Sequence, residues 1–282
     1  MKLLNQLEIA EQIRRALAED VGQGDVTTAS TVAPEQRGRA LIRVKEPRMV
    51  LAGGFLIERV FRIAGADPRV ISLKAEGSEL KAGDLLAEVE GQLAGLLIGE
   101  RTALNFVQLL SAIATTTRRY VDAVAGTRAK IIDTRKTHPG LRALEKYAVR
   151  AGGGHNHRFG LDSGVLIKEN HIAAAGGISS AIERARQLAP HTHKIEVECE
   201  TLEQLNEAVR AGADVILLDN MTLDQVREAR TQVGTKILLE VSGGVTLETV
   251  QGIAETGVDL ISVGALTHSV KAVDISMRID SA

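Results

Sequence analysis

The sequence predicts an α/β protein in which a (β/α) barrel, whole or missing part of its ring, follows a small α+β region. Two observations carry the barrel. The second half holds short, nearly continuous apolar runs: KIEVE (194–198), DVILLD (214–219), KILLEV (236–241) and DLISVG (259–264). Such runs fill strands buried on both faces, as in a parallel sheet. The first three are followed by versions of one motif, TLEQL (201–205), TLDQV (222–226) and TLETV (246–250), at intervals of about 21 to 24 residues. Each places a Thr where a helix N-cap belongs, and Gln204 and Gln225 complete capping boxes in the first two.

The elements follow in order. MKLLNQLEIAEQIRRALAEDVG opens the chain and reads as an amphipathic helix, because charge recurs throughout it and no apolar signal-like stretch forms. RALIRVK (39–45), RVISLKAEG (69–77) and LLAEVEG (85–91) read as separate strands, with turns at Gly77 and Gly83. GERTALNFVQLLSAIATTTRRYVDAV (99–124) reads as a long helix leading into the barrel. AKIIDT (129–134) and VLIK (165–168) extend the βα repeat upstream to six strands, and Gly212 and Gly257 sit where helices should stop. The domains expected are 1–110 and 111–270, with the tail 271–282 packing on the first. An open doubly wound sheet is the alternative, but no GxGxxG follows a first strand.

Composition narrows the function. Of 282 residues, 34 are Lys or Arg and 36 Asp or Glu, a formal charge of −2. With a sequence pI near 6.4, this argues against general nucleic-acid binding. No run of about 18 apolar residues is present, which predicts no membrane span. The single cysteine, Cys199, excludes an internal disulfide and suits a reducing cytosol, so a cytoplasmic location is expected.

Charge is not evenly spread. Between Arg135 and His171 seven cations (Arg135, Lys136, Arg142, Lys146, Arg150, Arg158, Lys168) face three acids (Glu145, Asp162, Glu169), and four of the seven His lie there. Polar groups also recur at every barrel strand end, where such folds do their chemistry. These ends read Asp133-Thr134-Arg135-Lys136, Lys168-Glu169-Asn170-His171, Glu196-Val197-Glu198, Asp219-Asn220, Glu240-Val241-Ser242-Gly243-Gly244 and Ser262-Val263-Gly264-Ala265.

Glycine-rich turns before a helix let backbone N–H groups approach a phosphate. Glu198 and Asp219 can hold Mg²⁺, which prefers one or two carboxylates plus substrate oxygens. Arg135 and Arg158 can bind carboxylate or phosphate bidentately, with Lys136 and Lys168 as point charges. Taken singly each feature has an ordinary reading. A basic loop is a solvated face, a GG pair a turn, Glu198 the partner of a nearby Arg or Lys, and Lys168 a structural cation. Six polar strand ends in succession favour a phosphate-handling enzyme.

At this point the sequence resembles a known family. DTRKTHPGLRALEKYAVRAGGGHNHRFGLDSGVLIKENHI (133–172) is similar to the signature of the nicotinate-nucleotide pyrophosphorylase (carboxylating), or quinolinate phosphoribosyltransferase, family. EDVGQGDVTT (19–28), GERTALNF (99–106), IEVECE (195–200), ILLDNM (216–221) and LEVSGGV (239–245) match in the same order. A molybdenum-transport-associated family shares the TRKT and PG pattern but lacks the GGGHNHR and IKENH combination.

The resemblance implies an N-terminal α/β sandwich domain plus an incomplete (β/α) barrel, in a homodimer or larger homo-oligomer. It implies conversion of quinolinate and phosphoribosyl pyrophosphate to nicotinate mononucleotide, pyrophosphate and CO₂, with Mg²⁺. By the same resemblance Arg101, Arg135, Arg158 and Lys168 grip the quinolinate carboxylates, with His157 nearby, and Arg101 reaches across to the partner's site. Lys136 faces the pyrophosphate. Glu198 and Asp219 address the ribose and the metal, the latter largely through substrate and water. The 5′-phosphate falls to the turns Ser242–Gly243–Gly244 and Val263–Gly264–Ala265, and Thr134 adds to the substrate set. Lys136, Lys168, Glu198 and Asp219 are the catalytic expectations. Rival readings are a nicotinate phosphoribosyltransferase without decarboxylation, a Schiff-base aldolase on Lys168, and a non-catalytic small-anion carrier.

Overall fold

A computed structural model describes residues 4–280. The expected first helix and the C-terminal tail each extend a few residues beyond, into 1–3 and 281–282, which lie outside the described residues. The chain forms two compact units. One comprises the residues up to Arg118, Thr137–Gly153 and the chain from Thr267 onward; the other is Arg119–Lys136 and Gly154–Leu266.

In the first unit, helix α1 (Gln6–Val21) starts at Asn5, whose side chain accepts from the Leu7 N–H, and buries Ile9, Ile13 and Leu17 at four-residue spacing. The short α2 (Val26–Thr31) is capped by Asp25. Strand β1 (Arg37–Val44) alternates buried Gly38, Ala40, Ile42 and Val44 with more exposed arginines, the period of a half-buried antiparallel strand. After β2 (Met49–Val50), helix α3 (Phe55–Ile63), β3 (Arg69–Leu73) and β4 (Glu79–Leu80) comes β5 (Leu85–Gln92), which pairs with both β1 and β3. The last strand, β12 (Ile275–Asp280), pairs antiparallel with β1 from Val44↔Ile275 to Arg39↔Asp280, so the sheet order is β12-β1-β5-β3. The tail thus completes this unit as an outer strand.

Helix α4 (Leu93–Ala123) begins six residues earlier than the sequence suggested, directly after β5. Among the described residues it alone is long and apolar enough to cross a membrane by length and composition. Most of its apolar stretch is buried within the protein, as in a core helix. Its Ser111 and Thr115 hydroxyls accept the Ala52 and Val50 N–H groups at 3.1 and 2.8 Å.

The segment 137–153 was expected within a continuous barrel region but belongs to the first unit. It carries α5 (Arg142–Ala151), in which Glu145 is fully buried and accepts the His138 N–H at 3.2 Å. Arg142, Lys146 and Arg150 therefore lie on a helix of the first unit, while Arg135, Lys136, Arg158 and Lys168 belong to the second. The cation-rich window is thus not one continuous surface patch of the barrel.

The second unit is a six-stranded parallel sheet. Its strands are β6 (Lys130–Ile132), β7 (Val165–Ile167), β8 (Ile195–Cys199), β9 (Val215–Asp219), β10 (Leu238–Ser242) and β11 (Leu260–Ser262), in the order β6-β11-β10-β9-β8-β7. Strands β6 and β7 are unpaired with each other, so the ring stays incomplete there, and His155 bridges to Ile132 on the open edge of β6. The sheet curls strongly. Carboxylates from β8 and β10, with β9 between them, lie within 4.8 Å of each other and of a His157 nitrogen. In a flat sheet, strands two apart stand roughly 9–10 Å from one another.

Helices α6 (Glu169–Ala175), α7 (Ile178–Leu188), α8 (Leu202–Arg210), α9 (Leu223–Val233), α10 (Val250–Ala254) and α11 (Ala265–His268) follow the strands. Thr201 and Thr222 cap α8 and α9 as their motifs predict. Gln225 closes a full capping box, whereas Gln204 Oε1 accepts from Glu200 N–H instead. The third motif departs. Helix α10 starts only at Val250, and the Thr246 N–H donates to Thr249 Oγ1 in a turn of its own. Where the earlier motifs carry Gln, this one carries Thr249, which reaches back to the Thr246 N–H, but no side-chain cap bond forms at the start of α10.

Strand starts carry structural ion pairs. Asp214 Oδ2 accepts the Ile195 N–H at 2.8 Å and pairs with Arg186, and Asp259 Oδ2 accepts the Leu239 N–H at 2.9 Å and pairs with Arg230. Each locks the beginning of one strand to the next, which leaves the strand ends for chemistry.

Candidate active site

At the end of β6 the buried Asp133 anchors the HNHR segment through its carboxylate. Its Oδ1 takes the His157 N–H at 2.9 Å and its Oδ2 the Asn156 Nδ2–H at 2.6 Å. This pins the HNHR segment beside the open sheet edge. Thr134 Oγ1 accepts the Lys136 N–H at 3.0 Å, turning the chain so that Arg135 and Lys136 follow at the rim. Thr134 thereby shapes the cation loop.

Lys168 ends β7 and enters α6. Its N–H donates to His171 Nδ1 at 3.0 Å, and its ammonium forms an ion pair with Glu198 of β8. Asp219, at the end of β9, has its carboxyl pushed above the usual range, first by burial and then by the neighbouring Glu198. Lys168 and Lys136 oppose that shift. Lys136, Lys168, Glu198 and Asp219 thus form one electrostatic cluster. Glu198 and Asp219 are two nearby carboxylates of the kind that could hold a divalent cation such as Mg²⁺.

The turn after β10 is built around glycine. Gly243 has φ +94°, and a Cβ there would stand 2.1 Å from Asn220 Oδ1, so both conformation and space demand glycine. Gly244 is also left-handed, at +58°. This turn does not lead straight into a helix, because α10 starts at Val250. After β11, the Val263 N–H donates to Ile132 O at 3.0 Å and its side chain is buried, so Val263 has no N–H to give a phosphate. In that turn the phosphate reading rests on Gly264 and Ala265. The following α11 is four residues long, too short for a strong macrodipole, so main-chain N–H groups are what it can offer.

Arg158 differs from a solvated arginine. Its Nη1 donates to Gly164 O at 3.0 Å, while its buried Nε–H finds no acceptor among the described residues. Burial and then the Arg135 charge lower its basicity, although a guanidinium stays charged. His157 points inward. Its Nε2 lies 3.1 Å from Glu196 Oε2 and 3.8 Å from Glu240 Oε2. Glu196, Glu240 and Asp133 are all buried, and the sequence reading left them without roles. A signal existed: Glu196 shares a strand face with Glu198, and Glu240 with Ser242, by the two-residue period. Cys199 is buried with its thiol pushed up to about 12 by burial, which leaves it inert. Arg101 is exposed on α4 in the first unit.

Family models for quinolinate phosphoribosyl transferase match residues 25–111 (N-terminal domain) and 113–278 (C-terminal domain). The chain belongs to the quinolinate phosphoribosyltransferase family. It is 48% identical over 276 residues to the probable nicotinate-nucleotide pyrophosphorylase [carboxylating] of Bacillus subtilis, covering 98% of this chain and 95% of that one. It is 40% identical over 298 residues to the mitochondrial quinolinate phosphoribosyltransferase [decarboxylating] 2 of Nicotiana glauca, covering 97% of this chain and 83% of that one. The solved structure of NadC from Streptococcus pyogenes superposes with a TM-score of 0.95 at 40% identity, over 99% of both chains. For a quinolinate phosphoribosyltransferase the cations and carboxylates of the barrel rim have an evident use, because both substrates of this family are polyanions.

Proposed function

We propose that the chain transfers the phosphoribosyl group of phosphoribosyl pyrophosphate to quinolinate, giving nicotinate mononucleotide, pyrophosphate and CO₂ in NAD biosynthesis. One observation carries the anion site: Arg158 keeps a buried, unsatisfied Nε–H while facing the like charge of Arg135. A dianion relieves both costs at once, because it supplies the missing acceptor and screens two cations from each other.

The chain's own groups divide the work. Arg135, Arg158 and Lys168 hold the two carboxylates. To do so Lys168 leaves Glu198, which frees that carboxylate to address the ribose. Lys136 faces the leaving pyrophosphate. Glu198 and Asp219 stabilise the positive charge that grows at C1′ as pyrophosphate departs. The pyridine nitrogen then attacks C1′, and no general base is needed because that nitrogen carries no proton. The C2 carboxylate next to the new pyridinium leaves as CO₂, its bonding electrons staying on C2 beside the positive nitrogen as an ylide, which takes a proton from water to give nicotinate mononucleotide. Holding two substrates in line supplies roughly 7–11 kcal/mol of such a barrier. Glu198 and Asp219 would hold Mg²⁺, largely through substrate and water, and the ion would neutralise pyrophosphate charge. The turns Ser242–Gly243–Gly244 and Gly264–Ala265 receive the 5′-phosphate. We place Arg101 at the site of a partner subunit in a homodimer or larger homo-oligomer, and the enzyme in the cytoplasm, a reading that the lone reduced cysteine supports.

The test is incubation with quinolinate, phosphoribosyl pyrophosphate and Mg²⁺, measuring CO₂ and pyrophosphate together. Both products should appear in equal amounts. Turnover of nicotinate but not quinolinate would establish the non-decarboxylating enzyme, and binding without pyrophosphate release would establish a carrier. Phthalate, which keeps both adjacent carboxylates but lacks the nitrogen, should inhibit far better than benzoate.

A further inference from the structure

The interior of the barrel, below the rim, contains a polar cluster that the transfer reaction does not by itself explain. His157 Nε2, a Glu196 oxygen and a Glu240 oxygen all lie within 4.8 Å of one another. Glu240 is 1% exposed and Glu196 8%. Each also has an Oε1 that is buried without a donor among the described residues. Two orphaned acceptors side by side need either a shared proton or a bound cation.

The imidazole decides between these. The Arg158 main-chain N–H donates to His157 Nδ1 at 2.7 Å. A backbone N–H can only donate, so Nδ1 holds a lone pair and the ring proton sits on Nε2. That Nε2–H points at Glu196 and has no lone pair for a metal. The cation option therefore loses its third ligand. A proton on Glu240 resolves the cluster instead. An O–H on Glu240 would have the Glu196 carboxylate beside it as acceptor, and His157 Nε2 lies 3.1 Å from Glu196 Oε2. Burial and the adjacent Glu196 both favour that protonated form.

The cluster has a consequence at the rim. His157 is clamped from three directions: its own N–H by Asp133, its Nε2–H by Glu196, and its Nδ1 by the main chain of Arg158. The carboxylate-binding guanidinium is the side chain of that next residue. We propose that Glu240 and Glu196 are positioning residues, which hold His157 as a neutral Nε2–H imidazole so that His157 sets the main chain, and hence the guanidinium, of Arg158. His157 then acts on the bound carboxylates through Arg158. The proposal rests on the quinolinate reading of the site, but its first test does not.

That first test is ¹⁵N NMR of the full chain labelled at histidine, with the His157 signals assigned by loss in His157→Asn. The expected pattern is a protonated Nε2 and an unprotonated Nδ1. An Nδ1–H tautomer or an imidazolium would overturn the proposal whatever the enzyme does. The second test compares Glu240→Gln with Glu240→Ala. Gln keeps a donor toward Glu196 and an acceptor beside it; Ala keeps neither. Glu240→Ala should raise KM for quinolinate on the order of tenfold or more, by misplacing Arg158, while KM for phosphoribosyl pyrophosphate stays within about twofold. Glu240→Gln should restore the quinolinate KM to near wild type. Equal rises in both KM values, no rise in either, or a Gln variant as impaired as the Ala variant would each refute the positioning role. Should Glu240→Ala not fold, Glu240→Gln and phthalate binding decide, with wild-type-like affinity expected. Absence of CO₂ release by the wild type would sink the quinolinate reading and leave the tautomer result to judge the clamp alone.

Discussion

Lys168 and Glu198 form an ion pair across the adjacent strands β7 and β8, at the end of the sheet where Asp219 also lies. In the proposed function each partner serves a different substrate, which makes the pair a resting arrangement. Lys168→Ala should therefore lower kcat/KM by about 10²–10³-fold, the usual loss when one charge-stabilising group is removed. The Lys168 side chain is 47% exposed, so its loss should leave the thermal midpoint within error of wild type. Steady-state kinetics beside a melting curve check both halves, and near-normal turnover would remove Lys168 from the site.

Gly243→Ala forces a Cβ against Asn220 Oδ1 at a backbone angle that only glycine tolerates well. The expected cost is about 1–3 kcal/mol of strain, with a parallel rise in KM for phosphoribosyl pyrophosphate as the turn moves. Adding Asn220→Gly removes the clashing side chain and suits that position's own φ of +55°. The double variant should recover part of both losses in melting and kinetic assays. A single Gly243→Ala variant indistinguishable from wild type would show that the turn is not packed as described.

Glu240 gives a stability–pH prediction. Its folded pKa lies well above the ordinary carboxylate value, because of burial and then the adjacent Glu196. Ser262 from β11 and the more distant Lys168 charge oppose the shift, and His157 faces the same pair. A raised folded pKa contributes stability that is complete below the unfolded value and is lost as pH rises through the folded one. Wild type should thus lose thermal stability toward the alkaline side, and Glu240→Gln, which cannot ionise, should lose less. Melting midpoints across pH for both proteins test this, and parallel curves would contradict it.

Arg101 tests the assembly. Arg101→Ala and Lys168→Ala should each be nearly inactive alone. If the chains are unfolded together and reassociated at random, each mixed dimer should contain one intact site and one doubly damaged site. Roughly a quarter of wild-type activity should return, by two-fold symmetry. No recovery despite demonstrated mixing would place Arg101 in its own subunit's site or outside any site.

Much of the architecture was legible from the amino-acid order. Apolar runs located all six barrel strands, and Thr201 and Thr222 marked two helix starts, because burial on both faces and end-capping are local demands. The strand-end residues likewise announced the charged rim at which Lys136, Lys168, Glu198 and Asp219 come together. Other properties depended on chain segments far apart in sequence. Nothing local says that β12 pairs with β1, or that Arg142, Lys146 and Arg150 belong to a different unit from Arg158. Val263 looked like a phosphate donor until its N–H was seen bonded to Ile132. Above all, Glu196 and Glu240 each read as ordinary strand residues. Only the curl of the sheet, which brings β8 and β10 together around His157, turns them into a buried pair. Periodicity dictates which face a residue takes, whereas the closure of non-neighbouring strands decides what it meets there.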